Sequence, residues 1–293
     1  VSKSATLRAL DDLKRVVDEH RTQRALAAQQ EADRRYASDP VAFATERLGW
    51  IPDDWQAGFL RSSGNTILNC SRQSGKSTST AVLALHTALF KPGSLTLLVS
   101  PTQRQSAELF KKCKSFMNLL TPPAPLTEDN ALSLTMANGS RIVSLPGSPE
   151  TVRGYSSPAL VVIDEAAFVE DATVNALRPM LAVGGGRLMA LSTPYGRRGA
   201  FFQAWSSPGD EWHKIKITAA DCPRISPEFL ESERRAIGDW WFRQEFMGEF
   251  LETAAQLFRL EDINRALSDD VKPLFAADGR NRDEVKPLFP VAA

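Results

Sequence analysis

Cys70-Ser71-Arg72-Gln73-Ser74-Gly75-Lys76-Ser77 fits the phosphate-loop pattern G-x-x-x-x-G-K-[ST], except that Cys70 stands where the first Gly is usual. Residues 66–69 before it read as a short buried strand, and residues 76–90 after it as a helix. In a strand–loop–helix of this kind, successive backbone N–H groups and the helix N-terminus make a nest for anions. Ser71, Arg72, Gln73 and Ser74 form its wall. Gly75 lets the backbone pass where a Cβ would obstruct. Lys76 can reach β- and γ-phosphates, and the Ser77 hydroxyl can ligate magnesium. A chance Gly-Lys-Ser in a turn would lack the flanking strand and helix.

Working outward, strands alternate with helices. Residues 95–99, 160–163, 187–191 and 212–217 read as strands, 103–119 as a helix, and 227–248 as two short helices. Residues 132–136 and 141–145 flank Asn138-Gly139, a hairpin signal. This alternation predicts an α/β fold with a mainly parallel sheet flanked by helices. The apolar run Leu160-Val161-Val162-Ile163 delivers Asp164 and Glu165 at a strand's C-terminal end, where open α/β sheets bind ligands. Asp164 is placed to hold magnesium through water and Glu165 to polarise an attacking water; an acid pair capping the next helix is the alternative. ATP and Mg2+ are therefore the expected cofactors.

The 293 residues carry 35 basic and 35 acidic side chains and 43% apolar residues. That is ordinary for a globular chain with a sizeable core. Zero net charge argues against tail-type nucleic-acid binding but leaves a local basic patch open. No apolar run approaches the roughly 20 residues of a membrane span, and the charged N-terminus does not resemble a signal peptide. Cys70, Cys113 and Cys222 are too scattered for a disulfide framework or a metal site. His20, His86 and His213 are not at ligand spacing. Trp240 and Trp241 fit helix packing better than base stacking.

Residues 4–36 predict one or two helices, with Leu7, Leu10, Leu13, Val16 and Val17 on a face expected to dock on the chain's own domain. The C-terminal segment repeats Val271-Lys272-Pro273-Leu274-Phe275 as Val285-Lys286-Pro287-Leu288-Phe289, too few copies for a solenoid. The expected organisation is a helical arm (1–39), a P-loop core (40–220), a helical lid or linker (221–268) and a truncated or disordered tail (269–293).

Arg153, on a Gly-flanked segment before Asp164, has a guanidinium suited to neutralising charge on a transferred phosphoryl group; an ordinary surface ion pair is the alternative. Arg72 is read either as a γ-phosphate sensor or as the partner of Glu165 in the empty state. Ser192 and Thr193 end an apolar strand, where a hydroxyl can meet the water or γ-phosphate, or simply cap the strand before Pro194. Lys111, Lys112 and Lys114 on one helix, and Arg197 with Arg198 in a loop, are candidates for DNA backbone contact; each such cluster is more often a solvated face.

Taken in order, these motifs resemble the ATPase domain of the large terminase subunit of tailed bacteriophages, over about residues 40–265. Trp55-Gln56 resembles that family's adenine-side Gln motif, and the Gln56 amide can both donate and accept, as adenine's N6 and N7 edge requires. Ser71 to Ser77 looks like its phosphate loop, with Arg-Gln ahead of Gly-Lys-Ser. Val99-Ser100-Pro101-Thr102 is similar to a segment shared with helicases. Val152-Arg153-Gly154-Tyr155 and Val162-Ile163-Asp164-Glu165-Ala166-Ala167 match the stretch entering the acid pair. Ser192-Thr193-Pro194 resembles the coupling motif, and Glu245-Phe246-Met247-Gly248-Glu249-Phe250 the end of the ATPase region.

The resemblance implies a P-loop NTPase of the additional-strand catalytic-Glu type, with a small helical C-terminal lid and an N-terminal helical arm. It implies ATP-driven translocation of double-stranded DNA into a procapsid, with Arg153 delivered to a neighbour in a homo-oligomeric ring, a pentamer. It also implies the portal protein and small terminase subunit as partners, no membrane, and a place in the host cytoplasm at the procapsid portal vertex. Large terminases continue into a nuclease domain, and the residues after Asn264 are too few for one, so no nuclease activity is expected of this chain. A helicase or other DNA-dependent ATPase of related fold, and a nucleotide-binding scaffold, are the alternatives. The absence of a second motor domain weighs against the first; intact Lys76, Ser77, Asp164 and Glu165 weigh against the second.

Overall fold

The computed structural model describes residues 3–252. The repeated tail segment lies outside the described residues, as do the side chains of Leu7, Leu10, Leu13 and Val16. Eight strands form one sheet: β1 (Thr66–Cys70), β2 (Leu95–Ser100), β3 (Leu126–Asp129), β4 (Ser133–Met136), β5 (Arg141–Pro146), β6 (Leu160–Asp164), β7 (Arg187–Ser192) and β8 (His213–Ile217). Their order across the sheet is β3-β4-β5-β2-β6-β7-β1-β8. The pairings from β5 to β8 are parallel, while β3–β4 and β4–β5 are antiparallel. The sheet is therefore mixed, with the Asn138-Gly139 hairpin adding its antiparallel edge. β7 lies between the phosphate-loop strand β1 and the acid-bearing strand β6.

The central strands are apolar on nearly every residue because both faces are covered. Side chains alternate between two cores. Leu68, Leu98, Leu160, Val162, Met189 and Leu191 face one side, where α4 (Lys76–Phe90) and α5 (Gln103–Met117) pack. Ile67, Leu97, Val99, Val161, Ile163, Leu188 and Ala190 face the other, covered by α7 (Asp171–Gly184) and α8 (Gly199–Ser206). The first core also takes in α2 (Pro40–Arg47) and α3 (Asp54–Arg61), through Phe43, Phe59 and Leu60. A short helix α6 (Pro149–Val152) follows β5, and a helical pair, α9 (Pro227–Ile237) and α10 (Asp239–Glu245), closes the described chain around Ala219, Phe242 and Phe246.

Residues 3–38 form a single helix, α1 (Lys3–Ser38). Its C-terminal end is tied down: Arg35 pairs with Glu46, and the Tyr36 carbonyl meets His86 Nε2 at 2.8 Å. His86 is packed between Phe43 and Phe90, a structural role. Farther up, Val17 is 40% exposed, so the expected docking face is open at that residue. Trp241 also departs from expectation. It is half exposed and touches Trp240 edge-to-face rather than entering a core.

Gly186 joins α7 to β7 at a close backbone approach. A Cβ there would sit 2.0 Å from the Pro158 carbonyl oxygen and 2.8 Å from Leu181 Cδ2. That approach lets Arg187 N–H donate to Ala159 O at 3.1 Å, which starts the β6–β7 pairing. Gly186→Ala should lower the urea unfolding midpoint, by about 1–3 kcal/mol of stability or more, as overpacking does; an unchanged midpoint would show that the approach relaxes freely.

Candidate nucleotide site

The site forms at the C-terminal ends of β1, β6 and β7. The register pairs Asn69 with Ser192 and Asp164 with Leu191, so the three strands end within two residues of one another, β6 first, then β7, then β1. Cys70 is the final residue of β1, fully buried, and is not among the residues with positive φ. A Cβ is therefore accommodated, and glycine is not required at this position. Burial pushes its thiol up to about 12, so it is an inert apolar filler.

The loop turns through Gln73, whose φ of 58° is left-handed, and Gly75, whose φ of 94° ends it as the cap of α4. A Cβ on Gly75 would meet Gln56 Nε2 at 2.6 Å and Arg224 Nη2 at 3.3 Å. Only glycine allows those two side chains to close behind the loop.

Lys76 is nearly buried and pairs with Glu165 Oε1 at 2.7 Å. Burial opposes its charge, but Glu165 and Asp164 outweigh that, and its pKa lies above the ordinary lysine value. Asp164, 7% exposed, sits 3.5 Å from the Ser77 hydroxyl, which donates to Oδ2. Burial, reinforced by Glu165 and opposed by Lys76, raises the Asp164 pKa to about 6. Two hard oxygen donors side by side suit a magnesium ion that keeps several waters. Glu165 stands at φ 52°, a conformation few non-glycine residues adopt, and accepts a hydrogen bond from Ser192 Oγ at 3.3 Å. Thr193, 3% exposed, lines the same cleft of about 650 Å³ with Gln73, Gly75, Lys76, Ser77 and Glu165.

Several predicted residues lie in unexpected surroundings. Arg72 pairs with Glu245 of α10, not with Glu165, and its backbone N–H donates to Glu245 O at 3.0 Å. The partner of Glu165 is Lys76 instead. Gln56 is 2% exposed, and its Oε1 accepts the Asp53 N–H at 2.8 Å, which leaves only the Nε2 half of the amide uncommitted to the α3 cap. Ser71 is fully buried and donates its N–H to Ile217 O at 2.8 Å. Ser74 is also buried, and its carbonyl accepts from Arg224. Arg224 bridges the loop to Asp53, with Nη1 2.8 Å from the carboxylate. Neither Glu245 nor Arg224 carries a local sequence signal for this role, because each acts on the loop from across the chain.

The three lysines of α5 do not form one patch. Lys111 pairs with Glu108 at 2.7 Å and Lys114 with Asp129 at 2.5 Å, while Lys112 borders the phosphate cleft. Arg197 Nε donates to Phe250 O at 3.1 Å, and Arg198 lies 5.1 Å over the Tyr195 ring, itself against Phe168. Arg153 caps α6, beyond the C-terminal end of β5 and therefore on the same sheet edge as the loop. It is exposed and has no ion-pair partner among the described residues.

Comparison with known proteins identifies the family and the fold. The family described as terminase large subunit, T4likevirus-type, N-terminal, matches residues 67–265. The terminase large subunit of Thermus phage G20c is 26% identical over 290 residues, covering 81% of this chain and 60% of the relative; that of Escherichia phage T5 is 25% identical over 242 residues, covering 77% and 54%. The chain thus spans a little over half the length of these relatives. Among solved structures, a mutant ATPase domain of the Thermus phage P74-26 large terminase superposes with TM-score 0.64 at 23% identity, covering 73% of this chain and 100% of that one. The large terminase of a thermophilic bacteriophage in complex with ADP superposes at 0.54 with 16% identity, covering 66% of this chain and 50% of that one. Because the family match takes in well over half of the sequence, from β1 through the phosphate loop, the acid pair and α10, the chain belongs to the terminase large subunit family, in its T4likevirus-type N-terminal region.

Proposed function

We propose that this chain is the ATP-hydrolysing motor domain of a viral DNA-packaging machine, driving double-stranded DNA into a procapsid. The convergence of Lys76, Ser77, Asp164 and Glu165 in one cleft carries the reading. The ADP bound by the thermophilic-phage terminase, of like fold, supports it. No helix among the described residues is long and apolar enough to cross a membrane.

The loop N–H groups and Lys76 hold the β- and γ-phosphates. Ser77 and Asp164 would hold Mg2+, which would supply positive charge to neutralise the phosphates. Glu165 contacts Lys76 and Ser192. With Lys76 on the phosphate oxygens, Glu165 polarises the attacking water. Ser192 and Thr193, at the same strand end, pass the effect of hydrolysis toward Tyr195–Arg198. Arg153, exposed on the same edge, completes the site of a neighbouring copy in a homo-oligomeric ring. The portal protein, the small terminase subunit and a place at the portal vertex in the host cytoplasm belong to the same proposal. So do a core over 40–220 and a helical lid from residue 221 on, of which the part after residue 252 lies outside the described residues.

Glu165→Gln should lower ATP turnover about a hundredfold or more, with and without duplex DNA, as loss of a general base does, while ATP still binds. Equal turnover would sink the catalytic assignment. Arg153→Ala should be inactive alone, and mixing it with Glu165→Gln should restore part of the activity, because each mixed interface can join an intact base to an intact Arg. No rescue in verified mixed assemblies would place Arg153 in its own subunit's site or outside catalysis.

A further inference from the structure

The cleft at Lys76 uses the C-terminal end of the sheet, and a basic cavity opens at the opposite end. It has a volume of about 210 Å³ and lies among the last turn of α4, the turn into β7 and the end of α1. Arg187, the first residue of β7, lines it with Lys91 and His86, beside Ala37 and Phe90. We propose that this cavity is an oxyanion site, in which Arg187 and Lys91 hold a phosphate group. The proposal is independent of the nucleotide reading above.

Three observations lead there. Arg187 is a partly buried cation with no carboxylate partner among the described residues. Its Nε donates to Gly64 O at 3.3 Å and its Nη2 to Ser62 O at 2.6 Å. Those carbonyls fix the guanidinium plane, while Nη1 has no acceptor among the described residues. A charge withdrawn from water normally finds a counter-charge, and here burial pulls the guanidinium below its ordinary pKa. Lys91, the exposed C-cap of α4, is likewise without an ion-pair partner among the described residues. Finally, Asp39, whose charge reaches His86, is already taken by Arg61 at 3.1 Å and by the Val41 N–H at 3.0 Å.

The donor set selects the ligand class. Nη1 offers two N–H groups in a rigid plane, and the Lys91 ammonium offers a second charge on a flexible stem. Two unpaired cations of this kind suit phosphate oxygens, through charge-assisted hydrogen bonds. A nucleic-acid backbone and free inorganic phosphate both supply that group.

His86 reports occupancy. Its Nε2 donates to the Tyr36 carbonyl, and burial, with the Arg187 charge added, holds its pKa below the ordinary histidine value. Inorganic phosphate titrated into the full chain should move the His86 imidazole NMR signal and raise its pKa, because an anion on Arg187 cancels that repulsion. Lys91→Gln should weaken phosphate about tenfold, the scale of one hydrogen bond to a charged group, and Arg187→Gln at least as much. Should Arg187→Gln not fold, Lys91→Gln, at an exposed position, decides alone. Phosphate entering the loop at the far end of α4 is told apart, because Lys91→Gln leaves that binding intact. Duplex DNA that moves the His86 signal in wild type but not in Lys91→Gln identifies a backbone phosphate as the occupant; DNA without effect identifies free phosphate. An unmoved His86 signal across the phosphate titration, or phosphate affinity unchanged by Lys91→Gln, overturns the site.

Discussion

The site is organised by the burial of one ammonium group. Lys76 is 11% exposed, and a charge withdrawn that far from water demands a counter-charge within contact. Glu165 supplies it, Asp164 adds to it, and Lys76 in turn makes it tolerable for two carboxylates to stand side by side at a strand end. The rest of the architecture keeps these three groups within reach. β7 between β1 and β6 fixes their lateral spacing, and the strand registers fix their height. The left-handed backbone at Glu165 turns its side chain toward Lys76 and away from the helix that follows.

The phosphate loop is also held from the opposite side. Ser71 bonds to the end of β8, Arg72 to Glu245, and Ser74 to Arg224. One residue before the loop, Asn69 donates to Gly248 O at 2.7 Å, so the segment after α10 is fastened to β1 as well. A displacement of the loop is therefore felt at Arg224, at Glu245 of α10 and at Gly248 through several short polar contacts at once.

What can be read from the sequence is local. Strands β1, β2, β6 and β7 are legible because burial on both faces makes them largely continuous apolar runs, and α4 because it follows the loop directly. The loop and acid pair are legible because each compresses its chemistry into a few adjacent residues. Cys70 is legible as a departure, but its harmlessness depends on a φ that sequence does not display. β3 escapes because three of its four residues are exposed and polar, and α7 because Pro179 and a Gly run interrupt its pattern. The partnerships of Arg72 with Glu245 and of Arg224 with Asp53 span more than half the chain and leave no periodic trace. Gln56 reads as an adenine contact because its amide suits that edge; that its oxygen caps α3 and only Nε2 is left over is not visible from the sequence.

The two borders of the sheet carry opposite charge. β3, at one border, presents Glu128 and Asp129; β8, at the other, presents Lys214 and Lys216. Open strands are templates for unwanted β-pairing between molecules, and charged side chains on them discourage it. A chain guarded in this way can be crowded against its own copies at high local concentration without its sheets fusing into aggregates.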